Sequence, residues 1–284
     1  MIALAFALLL STTPQVQEAP VPPACRGETF VSWQACAAAV PEGTPAYSLA
    51  MINIGSEAYM QGDLAGALDA YDKAEMPGQS VVSDVVLHTF RGDARRYGGR
   101  MEEARADAVI AWGYLDNRPP PGTAREDLRP LDDGLRLMIL SVILPILKDG
   151  DPDDFQRARA MYMALPATDW MALSQRAGTL TSLGEHEAAV LASKGALDLR
   201  PTDPLTQNNH CYALVEAGRA AEGLAYCASA VAGLPELAPV RHSYATALAA
   251  LGRCAEAETQ MAEARRLEPG GSLYREPMTC MAKT

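Results

Sequence analysis

A period of 34 residues runs through the C-terminal third of the chain. Gly184, Gly218 and Gly252 keep that spacing, as do Ala196, Ala230 and Ala264, and Pro201, Pro235 and Pro269. Three residue types repeating in phase mark a repeat architecture, in which each unit is one supersecondary element and neighbours share a core. Each unit holds two apolar helical patterns, with the glycine between them and the proline after the second. Glycine suits a tight inter-helix turn that needs positive φ. Proline cannot continue a helix, so it ends the second helix and opens the next unit. Composition agrees: 50 of 284 residues are Ala, the best helix former and a residue depleted from strands, which disfavours an all-β fold.

This pattern resembles the tetratricopeptide repeat (TPR), a helix–turn–helix unit of the same length. The first unit matches with Ile54, Gly55, Gly62, Leu64, Ala67, Tyr71 and Ala74. The second matches with Gly92, Gly99, Met101, Ala104, Ala108 and Ala111. A degenerate unit has an apolar helix at Leu135–Leu147 and a second helix ending near Tyr162 and Leu165. The last three carry Ala177, Leu180, Gly184, Ala189, Ala196 and Pro201, then Cys211, Leu214, Gly218, Cys227, Ala230 and Pro235, then Tyr244, Ala245, Leu248, Gly252, Ala257, Ala264 and Pro269. The resemblance implies an all-α, TPR-type helix-turn-helix solenoid of about six repeats, one degenerate, with capping segments at both ends.

The expected organisation follows. Residues 1–24 hold a signal peptide and cleavage region, and 25–46 an N-terminal capping helix at Glu28–Val40. Units 1 and 2 occupy 47–118, a Pro-rich loop 119–130, the degenerate unit 131–166, units 4–6 167–269, and a tail or cap 270–284. Residues 2–10 form an apolar run of nine, which matches a signal-peptide core and is too short for a bilayer span of roughly 20 residues. The n-region is atypical, because Met1 is followed by no Lys or Arg. The apolar run Leu137–Leu147, with Pro145 inside it, reads as a buried helix. A periplasmic or secreted protein without a transmembrane anchor is expected.

Six cysteines in an exported chain read as disulfides: Cys25, Cys36, Cys211, Cys227, Cys254 and Cys280. Sequence proximity favours Cys25–Cys36, Cys211–Cys227 and Cys254–Cys280 among the 15 possible pairings. In the TPR register, Cys211 and Cys227 fall on facing sides of one helix pair, and Cys280 would tether the tail over the open edge of the last unit.

The balance of 35 Asp+Glu against 24 Lys+Arg, a net charge of −11, lacks the basic footprint of nucleic-acid or anionic-membrane binding. No motif supports catalysis, metal binding or a cofactor. The four histidines, His88, His186, His210 and His242, form no i, i+3 or i, i+4 pair, and His186-Glu187 lacks the second His of a zinc helix. Asp149, Asp151 and Asp153 alternate like a calcium loop, but Asp154 and Ala160 stand where Gly and Glu are required. The stretch reads instead as a turn with Asp153 or Asp154 as N-cap.

TPR arrays bind on a concave face lined by the first helix of each unit. The resemblance places Asn53, Tyr59, Thr89, Asp93, Arg96, Tyr97, Ser174, Asn208, Asn209, Tyr212 and His242 there. Ile52 and Ser56 replace the Lys and Asn of the carboxylate clamp found in chaperone-binding members. The expected function is a non-catalytic protein-protein interaction module of the cell envelope. It would hold a neutral or basic peptide or helix in the concave groove. One alternative is a structural subunit of a periplasmic assembly that uses its convex face or ends. Another is an enzyme with a site near 112–170.

Overall fold

In the computed structural model the described residues are 22–27, 29–76, 80–121, 131–269, 271, 274 and 278–280. The signal segment, residues 122–130 of the Pro-rich loop and most of the tail 270–284 lie outside them. Among the described residues there are thirteen α-helices and no strand. The chain divides into two compact units, residues 1–165 and 166–284.

The first unit opens with a 3-10 turn, Pro23–Cys25, and α1, Phe30–Ala39. The capping helix is shorter than the expected Glu28–Val40. Thr29 and Ser32 form a reciprocal capping box, which places the helix start after Thr29. Cys25 is bonded to Cys36, the buried residue of α1, across Cα atoms 4.6 Å apart. Three helix pairs follow: α2 (Pro45–Met60) with α3 (Leu64–Ala74), α4 (Val81–Tyr97) with α5 (Met101–Leu115), and α6 (Asp133–Leu147) with α7 (Pro152–Ala164). Although the loop interrupts the period, α6 packs on both α4 and α5. Ile139, Leu140, Ile143, Leu144 and Ile146 have no exposed surface, so α6 is a buried core helix despite Pro145. The N-cap of the second helix of this pair is Asp151, not Asp153 or Asp154. Asp151 accepts from the Asp154 amide at 2.9 Å, and Pro152 takes the first helical position, where its missing N–H costs nothing.

The second unit holds three more pairs: α8 (Trp170–Leu183) with α9 (His186–Leu199), α10 (Pro204–Glu216) with α11 (Ala220–Gly233), and α12 (Ala238–Ala250) with α13 (Cys254–Leu267). Cys211 and Cys227 are both fully buried and bonded between α10 and α11. Cys254, first residue of α13, is bonded to Cys280. Tyr274 of the tail is buried with Ala238, Ala245, Met261 and Ala264, covering the last pair, and its carbonyl accepts from Arg265 Nε at 2.8 Å.

The turns inside the pairs share one geometry. Gly62, Gly99, Gly184, Gly218 and Gly252 have φ between 73° and 80°. The residue after each glycine donates its amide to the carbonyl five residues back, at 2.8–2.9 Å: Asp63 to Ala58, Arg100 to Arg95, Glu185 to Leu180, Arg219 to Leu214 and Arg253 to Leu248. This is the 6→1 bond of a Schellman motif, which satisfies a terminal carbonyl and reverses the chain. The turn of the α6–α7 pair lacks it; there Gly150 bonds back to Leu147 with no positive φ.

Two glycines of the second unit should therefore respond oppositely to alanine. Gly218→Ala meets no neighbour but must hold a Cβ at φ 73°, and is expected to destabilise by about 1–2 kcal/mol. Gly178→Ala sits exposed on α8 with open space around it, and is expected to stabilise by about 0.5–1 kcal/mol. Urea unfolding followed by helical circular dichroism checks both signs. Alkylation under denaturing conditions should find no free thiol before reduction and six after it.

Candidate functional site

In every pair but α6–α7 the helix that precedes the glycine turn carries the candidate binding residues. In the first unit these come from α2 and α4. Tyr59 donates its phenolic hydrogen to Asp93 Oδ2 at 2.8 Å, joining the two helices. Arg96, one turn further along α4, donates from Nε and Nη2 to Asp93 Oδ1 at 3.1 and 2.7 Å. The Arg96 guanidinium also lies over the Tyr97 ring, 4.3 Å from its centroid, and the Tyr59 and Tyr97 rings are 6.1 Å apart. Burial and the Asp93 carboxylate push the Tyr59 phenol well above its ordinary range, so it acts only as a neutral donor there. Tyr97 is the outermost member and is 62% exposed. Asn53 and Thr89 do not join this cluster. Asn53 is buried and donates to the Leu49 carbonyl, and Thr89 has no exposed surface and donates to Val85 of its own helix. A side chain without exposed surface cannot touch a ligand, so Thr89 has a packing role.

In the second unit, Ser174, Asn208 and His242 recur at the same position of α8, α10 and α12. Ser174 is buried, and among the described residues neither its hydroxyl nor Asn208 Oδ1 has a hydrogen-bond partner. Asn209 and Tyr212 lie half-buried on α10. Burial and nearby Glu216 push the Tyr212 phenol up to about 12. The His242 ring meets the Tyr274 ring at 5.6 Å, and burial holds its imidazole below the ordinary range, favouring the neutral form. The tail thus covers the candidate position of the last pair.

The most connected polar group escaped the sequence reading. Between α4 and α5 the buried Asp107 accepts from His88 Nδ1 at 2.7 Å, from Arg91 Nη2 at 2.8 Å and from Arg95 Nη1 at 2.6 Å. Arg91 reaches on to Glu75 at 2.6 Å, and Arg95 to Asp72 at 3.1 Å, which ties in α3. His88 Nε2 lies 3.6 Å from Asp84, which accepts from Tyr114. Burial alone would raise the Asp107 carboxyl; the hydrogen bonds from His88 and Arg91 overcome it and hold it below the usual carboxylate range. A sequence signal existed: Asp84, His88, Arg91 and Arg95 fall on one helical face. Among the described residues, no cluster of His, Cys, Asp or Glu is suited to a metal ion, the Asp149–Asp154 stretch included.

These pairs define a protein built of helix–turn–helix repeats, and the fold is that of tetratricopeptide-repeat proteins. A TPR protein from Parabacteroides merdae superposes with a TM-score of 0.58 at 14% identity, covering 87% of this chain and 90% of that one. A thermophilic TPR protein of Thermus thermophilus gives 0.39 at 16% identity over 80% of this chain and 95% of that one. The yeast Sti1 TPR2AB domain, solved with an HSP90 peptide, gives 0.33 at 18% identity over 79% and 92%. No protein-family model matches the chain, and no curated protein matches its sequence.

Asp107→Asn leaves His88, Arg91 and Arg95 to share one neutral acceptor in place of a carboxylate and is expected to destabilise the fold by about 3 kcal/mol. The pH dependence has a definite sign. Asp107 and Glu75 are both depressed in the folded chain, so their contribution is present above the unfolded values of about 4 and is lost as pH falls through the lower folded values. The thermal midpoint should hold from pH 7 to about 5 and fall below about 4, with a shallower fall in Asp107→Asn.

Proposed function

We propose that the chain is a non-catalytic protein-interaction module of the cell envelope, which holds an extended peptide or a helix against the faces of its turn-preceding helices. The observation that carries this reading is Tyr97. A large aromatic side chain stands 62% exposed, yet a guanidinium on its ring and the Tyr59–Asp93–Arg96 network behind it keep it in place. Tyrosine and arginine dominate binding hot spots because they offer large contact area at low conformational cost. The net charge of −11 favours a neutral or basic partner over an acidic one or a nucleic acid. Three disulfides suit an oxidising compartment, and no described helix is long and apolar enough to cross a membrane.

The test is cross-linked capture from the native cell envelope with three baits: the parent protein, Tyr97→Ala with Tyr212→Ala, and Val109→Arg on exposed α5. A partner lost by the double variant and kept by Val109→Arg supports this reading. The reverse pattern would support the structural-subunit alternative, in which the opposite faces make the contacts.

A further inference from the structure

The second unit also carries a cleft whose lining includes none of the candidate binding residues. The helices α9, α10 and α11 enclose an open cleft of about 560 Å³. Val190, Leu214 and Tyr226 form its floor with His210, and Leu191, 76% exposed, stands at its edge. His210 itself is only 5% exposed, and its ring meets the Tyr226 ring edge-on at 5.1 Å.

The hydrogen bonding at the back of the ring determines what its front offers. The Ser193 hydroxyl donates its single hydrogen to the Val190 carbonyl at 3.0 Å. The same oxygen lies 2.9 Å from His210 Nδ1; with its hydrogen on the carbonyl it accepts there, and Nδ1 then carries the ring hydrogen. Nε2 is then a bare acceptor, and among the described residues no hydrogen-bond donor reaches it. Burial, and the positive charges of Lys194 and Arg219, hold the imidazole below its ordinary range, which keeps it neutral. The charges around the rim are already paired. Lys194 binds Asp198, and Arg219 binds Glu222 at 2.8 Å and Glu187 at 3.3 Å. An ionic ligand would have to break those pairs, whereas a neutral one would not.

We propose that this cleft binds a neutral aromatic molecule of the phenol or indole class, its ring over the apolar floor and its O–H or N–H donated to His210 Nε2. A site with one fixed buried acceptor rejects an isostere that lacks the donor, because the acceptor is then desolvated without a partner.

The experiment titrates the full chain with p-cresol and, separately, with toluene, at pH 7.5, following imidazole and backbone nitrogens by NMR. Before titration, the His210 nitrogen shifts should show a hydrogen on Nδ1 and none on Nε2. The expected result is a shift of Nε2 with p-cresol, binding about tenfold tighter than toluene, with His242 unmoved. Leu191→Glu, at an exposed position that leaves the fold intact, should weaken p-cresol binding several-fold. His210→Phe, if its circular dichroism is unchanged, should bind the two probes equally; if it misfolds, Leu191→Glu and the Nε2 shift still decide. Equal affinity of the parent protein for both probes, or shifts that bypass His210, would overturn the proposal.

Discussion

Within a helix pair, the contact that the rest depends on lies between a residue of the first helix and one sixteen positions later on the second. Gly55 faces Tyr71 so closely that an added Cβ would come within 2.7 Å of the ring. Ala245 and Met261 share a core cluster, and Cys211 and Cys227 stand at the same separation and are covalently joined. A small residue on one helix lets the axes approach, and the facing side chain fills the remaining volume. The alanine excess follows from this geometry. Ala67, Ala74, Ala94, Ala104, Ala108, Ala111, Ala189, Ala196, Ala230 and Ala264 are all fully buried at such approaches. With only 4 Phe in the chain, the cores are assembled from many small contacts.

That choice has an energetic consequence. Alanine buries little apolar area, so each interface contributes less than one lined by Leu or Phe. Covalent and polar ties stand where larger side chains would otherwise pack. The Cys211–Cys227 bridge clamps a pair whose facing positions are otherwise small, and such a staple contributes about 2–4 kcal/mol. In the first unit the Asp107 network ties α3, α4 and α5 through ionic hydrogen bonds. Fully satisfied, such a network specifies one arrangement; missing a member, it is costly. The ends are closed in the same way, with Cys25–Cys36 at α1 and Cys254–Cys280 beside the buried Tyr274.

The two proposed recognition surfaces use different physics. On α2 and α4 a cation, a carboxylate and two phenols hold an aromatic ring out toward solvent, which suits contact with a partner's surface. In the cleft of α9, α10 and α11 a buried ring turns one bare nitrogen toward a small apolar space, which suits a compact ligand with a donor.

The 34-residue period was enough to place the helix pairs and glycine turns of the last three repeats, because each of these is set within one or two turns of helix by local chain geometry; the facing of Cys211 and Cys227 came from the TPR register that the pattern resembles. Helix starts were legible only approximately. Thr29 and Asp151 hold the N-cap positions, Asp151 in place of the expected Asp153 or Asp154, through hydrogen bonds that depend on the local path of the chain. The candidate binding residues were legible as positions on a face, not as groups that meet. Tyr59 and Asp93 come together only because α2 packs beside α4, and Thr89, drawn from the same register, is withdrawn because that packing covers it. The Asp107 network and the Ser193–His210 contact were decided by tertiary structure alone. Each requires side chains 16 to 19 residues apart on different helices to converge, and convergence at hydrogen-bond distance is a property of packed helices rather than of spacing along the chain.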